Sequence, residues 1–203
     1  MLISVPKAKK VNFSAHQIAN TTAKFTRWKE FIKKNGYKPR AKISADEAKK
    51  TGMTEAERLA EMKCGYWAAN VDRNANGNIE HETAWESPEI QQAEFNTLWE
   101  ETPTYRQKNN TDNLNKLREF VKKEGHLPRE IITKQQVKEI GKDEADIERE
   151  LGQWANNIYQ SIKGNIKSNP DWHKPEQQAE FEAIYKKYPK RKTDKKTSRP
   201  WWK

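Results

Sequence analysis

Cysteine is almost absent from this chain. Cys64 is the only one in 203 residues, which excludes an intrachain disulfide framework and fits a reducing compartment. No apolar run approaches the roughly 20 residues that a membrane-spanning helix needs. Met1 to Lys10 holds no apolar stretch of the secretory type. No His, Cys and Asp cluster has zinc spacing, and no phosphate loop or paired nucleophile and base is visible. An enzyme, a metal and a cofactor are therefore not expected. Acid is missing from one region altogether: residues 1 to 24 carry four lysines and no Asp or Glu.

What the chain does have is aromatic mass and charge. Eight Trp, six Tyr and six Phe supply large apolar anchors to a chain that is one-third charged, so it folds rather than staying disordered. The net charge is +10, and most of it lies at the two ends. Residues 186 to 203 set nine Lys or Arg against Asp194 alone, which leaves 25 to 185 slightly acidic. The body is nearly neutral, so the overall charge alone does not mark a nucleic-acid-binding fold.

Gly65-Tyr66-Trp67-Ala68-Ala69-Asn70 is echoed by Gly152-Gln153-Trp154-Ala155-Asn156-Asn157. In both copies Gly-x-Ile follows ten residues after the Trp, at Gly77 and at Gly164. Phe31 and Phe120, Gly36 and Gly125, and Pro39 and Pro128 are each 89 apart. Trp85 and Trp172, and Pro88 and Pro175, are 87 apart; Phe95 and Phe181 are 86 apart. An ordered series of this kind is the signature of an internal repeat with two small deletions.

Each copy reads as helical. From Ser14, Ile18, Phe25, Trp28 and Ile32 fall at helical spacing, and Asn35-Gly36 ends the pattern. Ser44 to Glu47 and Thr54 to Glu57 are capping boxes that open a short and a long helix. Ser87-Pro88 opens another, with Ser as N-cap. The second copy repeats the plan through Leu114 and Leu117, Thr133, Ile147 and Leu151, and Pro175. The expected fold is all-α: two tandem homologous helical bundles, each with three main helices and a short extra one. The expected division is a basic arm and first-helix start at 1–24, repeats at 25–108 and 109–188, and a basic tail at 189–203. The join is expected near Arg106 to Asp112.

The second copy resembles the helicase-associated domain, a short all-helical repeat found beside bacterial helicases. The resemblance rests on Phe120-Val121-Lys122-Lys123-Glu124-Gly125-His126 followed by Pro128, on Leu151-Gly152-Gln153-Trp154 followed by Lys163-Gly164-Asn165-Ile166, and on a helix after Pro175. The first copy matches at Gly36, Pro39, Gly65, Trp67, Gly77 and Ile79. It implies a helical unit that binds nucleic acid.

Lys33, Lys34, Lys38, Arg40 and Lys42 form a basic run at the end of the first helix, and Lys122, Lys123, Arg129 and Lys134 repeat it. The run reads either as a phosphate-contact strip or as a solvated helix end that complements the dipole. An acidic stretch from Glu80 to Glu101 lies beside it. The tail adds Lys190, Arg191, Lys192, Lys195, Lys196 and Arg199, and ends in Trp201-Trp202, an aromatic pair that fits a partner-docking anchor. Trp67 and Trp154 read as core anchors rather than base-stacking platforms, and Cys64 as an apolar site, since Leu151 stands at the matching place. Asp72 to Glu80 resembles the start of a calcium loop, but Thr83 stands where the bidentate Glu belongs, so a helix stop is the preferred reading.

The expectation is a cytoplasmic, non-catalytic accessory protein that binds DNA or RNA, with a larger nucleoprotein or helicase as a further partner and no membrane. The alternative is a small adaptor or inhibitor, for example from a phage or mobile element, that docks on such a complex.

Overall fold

A computed structural model describes residues 12–77, 83–167 and 170–190. These are all-helical, with eight helices and no strand among them. The chain divides into two compact units, 1–105 and 106–203. Unit 1 holds α1 (Ala15–Asn35), α2 (Ala45–Lys50), α3 (Glu55–Ala75) and α4 (Pro88–Glu101). Unit 2 holds α5 (Tyr105–Glu124, whose first residue closes unit 1), α6 (Lys134–Ile140), α7 (Lys142–Ile162) and α8 (Pro175–Lys187). No described helix is long and apolar enough to cross a membrane.

The helix starts follow local chemistry. Ser14 and Gln17, Thr54 and Glu57, and Thr133 and Gln136 make reciprocal capping boxes, each satisfying two backbone donors. Ser44 caps α2 through its hydroxyl alone. The Glu47 carboxylate that would complete the box is drawn off to Arg40 Nη1 at 2.7 Å. Ser87 makes no side-chain cap; Gln91 Oε1 takes the Ser87 N–H instead. Gly36 ends α1 at φ 71°, a left-handed turn that only glycine adopts without strain.

The segment 106–112, expected as a join, is helical: it forms the first two turns of α5. Its polar residues are held by long-range hydrogen bonds rather than by apolar packing. Asn110 is buried and donates to the Asp171 carbonyl at 2.9 Å, and Gln107 Nε2 donates to the Asp171 carboxylate at 3.1 Å.

In unit 1 the core is aromatic. Phe25 and Trp28 of α1 pack on Trp85 and on Phe95 of α4, with Ala68 and Val71 of α3 beneath. In unit 2 the core is aliphatic: Leu114, Leu117 and Val121 of α5 meet Leu151 and Ile158 of α7, with Phe181 of α8 between them. Each unit is also closed by one backbone bond. The Lys38 N–H donates to the Pro103 carbonyl at 2.8 Å, and the Leu127 N–H to the Pro189 carbonyl at 3.1 Å. Pro189 and Lys190, expected in the tail, are thus held to unit 2. Ile166 of the repeated Gly-x-Ile is exposed, and its counterpart Ile79 lies outside the described residues.

Candidate nucleic-acid interface

Two of the expected phosphate contacts face inward. In unit 1 the Arg40 Nε donates to Glu61 Oε1 at 2.7 Å and Nη2 to Oε2 at 3.1 Å. The Arg40 backbone N–H adds a third bond to Oε1 at 3.0 Å. In unit 2 Arg129 repeats this on Glu148, with Nε at 2.8 Å, Nη2 at 2.7 Å and N–H at 3.0 Å. Side-chain exposure is 7% for Arg129 and 6% for Glu148. A guanidinium spent on a buried carboxylate cannot also grip a phosphate, so Arg40 and Arg129 leave the strip. A cation assigned by residue type alone takes no account of a buried partner some 20 residues away.

What these pairs do instead is fix a loop. Glu61 and Glu148 each precede the repeated glycine by one helical turn. At Gly65 a Cβ would lie 2.5 Å from the Arg40 carbonyl carbon, and at Gly152 it would meet the Arg129 carbonyl as closely. Glycine therefore lets the long helix touch the loop backbone, and the glutamate one turn earlier catches the loop arginine. Burial works against a charge on Glu148, yet the Arg129 side-chain and backbone hydrogen bonds outweigh it and hold the carboxyl below the usual range. The Glu148 bond in turn raises Arg129. Sequence reasoning missed both glutamates. Their 87-residue spacing, matched to the 89 of the arginines, was the signal that could have found them.

Unit 1 adds aromatic support. Tyr105 stacks on the Arg40 guanidinium at 3.8 Å, and the Tyr37 hydroxyl donates to Glu61 at 3.3 Å. Burial, then the neighbouring Glu61 charge, pushes the Tyr37 phenol up to about 12.

The remaining strip residues differ. Lys33, Lys34, Lys42, Lys122 and Lys134 are exposed and make no ion pair among the described residues. Lys123 is exposed and bonds its neighbour Glu124 at 3.1 Å. Lys38 is half-buried over the Trp99 ring at 4.6 Å, and burial lowers its pKa against the opposing pull of Asp72 and Glu100. Lys190 lies 3.6 Å from Glu130 and 5.4 Å from the Tyr185 ring. Arg191, Lys192, Lys195, Lys196, Arg199, Trp201 and Trp202 lie outside the described residues.

Unit 2 also carries an aromatic ladder that sequence reasoning did not single out. Tyr159 and Tyr185 stack face to face at 4.3 Å. Lys163 lies over the Tyr159 ring and Lys190 over the Tyr185 ring. Spacing could not reveal it, because the two rings come from α7 and α8.

Trp67 and Trp154 are half-buried and packed against the cores. Burial, then the Glu61 charge, pushes the Cys64 thiol up to about 11, which makes it a poor nucleophile. The calcium-like stretch begins inside α3: Asn76 Nδ2 bonds back to the Asp72 carbonyl, so the described part is a helix end. No described group of three or more His, Cys, Asp or Glu converges on a metal site. Comparison with protein-family models, with curated proteins and with solved structures found no match.

Proposed function

We propose that this chain is a non-catalytic nucleic-acid-binding accessory protein, built from two diverged copies of one helicase-associated-like repeat. Each copy offers exposed lysines beside a rigid loop, and the basic ends supply most of the affinity. The observation that carries this reading is the state of Lys33, Lys34, Lys42, Lys122 and Lys134: exposed, present in both units with Lys33 and Lys122 at matching positions, and without an ion pair among the described residues. Arg40 and Arg129 support the site indirectly, by fixing the loop against the long helix. The resemblance of the repeated motifs to the helicase-associated domain points the same way.

The test compares the full chain with one ending at Lys190, titrated with duplex DNA, single-stranded DNA and RNA across a salt series. Cutting after Lys190 keeps the Pro189 carbonyl that receives the Leu127 N–H. Binding should weaken steeply with salt. Removing Arg191, Lys192, Lys195, Lys196, Arg199 and Lys203 should lower the salt slope on duplex DNA by up to about 5, at about 0.9 per phosphate contact. The shortened chain should retain a weaker, still salt-sensitive affinity. Absence of binding by either chain in low salt would sink the reading. It would leave the adaptor alternative, tested by pull-down with the Trp201-Trp202 tail as bait.

A further inference from the structure

A cleft of about 250 Å3 opens in unit 1 beside Trp67, between α1 and α3. Gln17 and Asn20 of α1 and Asn70 and Asn74 of α3 line it with amides. Among the described residues no charged side chain lines it. The Asn74 Nδ2 donates to Thr83 Oγ1 at 3.3 Å, but its Oδ1 is buried and has no hydrogen-bond partner. A buried acceptor left open is a standing cost that an entering donor removes.

The matching place in unit 2 is bridged by one side chain. Asn110, 89 residues after Thr21, accepts from Trp154 Nε1 at 3.1 Å and donates to the Asp171 carbonyl at 2.9 Å. The shorter Thr21 makes no such bridge to Trp67. Cations stand at the rim rather than inside. Arg73 is exposed and bonds Asn70 Oδ1 at 3.4 Å, and the exposed Lys24 lies one turn beyond Asn20 on α1.

We propose that this cleft receives a single unpaired nucleobase, with its phosphates toward Arg73 and Lys24. The proposal rests on the nucleic-acid reading above. An uncharged interior excludes phosphate. Amides offer both donors and acceptors to a base edge, as Asn and Gln do when they read adenine. Trp67, packed on the unit 1 core, lines one side of the cleft and adds apolar surface to it. The volume falls just below the range of sites for drug-sized ligands, which suits one ring system and excludes a stacked base pair.

The experiment measures fluorescence anisotropy of a labelled single-stranded 12-mer and of the same strand made abasic, which keeps the phosphates and removes the bases. The full chain should prefer the intact strand by about fivefold or more, the low end of what one base contact contributes. Thr21→Asn, which places in unit 1 the residue that bridges unit 2, should bring that preference near one while abasic binding is unchanged. Asn74→Ala should act in the same direction, and thermal melts confirm that both variants fold. A preference near one in the unsubstituted chain overturns the cleft proposal and leaves phosphate binding standing. A preference that survives both substitutions also overturns it, because the base contact then lies elsewhere. Failure of both strands to bind overturns both readings together.

Discussion

The two units hold the same polar clamp and different cores. Phe25 and Trp28 in unit 1 have Leu114 and Leu117 at the matching positions 89 residues on, and all four are buried. Unit 1 fills its space with rings, Trp28 and Phe95 lying 4.7 Å apart and Phe25 and Trp85 5.2 Å apart. Unit 2 fills it with aliphatic side chains around Phe181. Apolar sites exchange shape and volume when their neighbours adjust. The clamp has no such freedom: a buried carboxylate needs its guanidinium, and a helix touching a carbonyl needs glycine. A second exchange lies beside the clamp. Lys38, Asp72 and Trp99 in unit 1 stand where unit 2 has Leu127, Tyr159 and Tyr185. A cation over a ring with an acid nearby is replaced by a buried leucine and two stacked tyrosines.

The clamp should break unequally in the two units. Arg129→Ala leaves Glu148 buried and uncompensated and should cost unit 2 about 3–5 kcal/mol. Arg40→Ala should cost less, because the Tyr37 hydroxyl still donates to Glu61 and leaves that carboxylate a partner. Urea unfolding followed through amide signals of each unit reads the difference. Equal costs would mean that the tyrosine contributes nothing. Arg129→Met with Glu148→Leu should recover much of the loss.

The glycines sharpen the comparison next. Gly65→Ala and Gly152→Ala should each destabilise by about 3 kcal/mol, since the new methyl meets backbone that cannot move aside. Gly77→Ala and Gly164→Ala meet nothing within 4 Å and bear only the left-handed strain, about 1–2 kcal/mol. Thermal melts of the four variants should fall into these two pairs.

The smallest effects concern pH. In acid, the denatured chain takes up the Glu148 proton before the folded one, because folding holds that carboxyl low. Unit 2 should therefore lose stability as pH falls below roughly 4.3. In alkali, Tyr37 works on unit 1. The denatured phenol ionises near 10 while the folded one holds its proton to about 12, so stability falls as pH rises across that window. Tyr37→Phe should flatten that limb at a cost of about 1 kcal/mol near neutrality. Denaturant midpoints from pH 3 to 11 check both signs.

Helix starts at Ser14, Thr54 and Thr133 were legible in the sequence because a capping box spans only four residues. Ser87 looked equally good, but the Gln91 amide takes its backbone N–H and leaves the hydroxyl unused. The turns at 106–112 were illegible because what buries Asn110 and Gln107 is a loop more than 60 residues away. Arg40 and Arg129 were visible as cations but not as buried ones. Their glutamates lie on α3 and α7, some 20 residues from the loops that carry the arginines, and only the repeat spacing links them. The cleft beside Trp67 was hidden for a related reason: its amides come from α1 and α3, which only the fold brings together.

The bond between the Leu127 N–H and the Pro189 carbonyl also has a mechanical meaning. Residue 191 follows directly on Lys190, so any tension carried by the basic tail enters the fold at that point. The load falls on the Leu127 bond and on the Lys190 contact with Glu130, both in the loop that Arg129 locks to Glu148. A pull on the tail is thus borne by the clamped loop of unit 2 as well as by the last turns of α8. α8 itself stays held by Phe181 in the core and by the Arg118 bond to Glu180, so it would peel away only after these give.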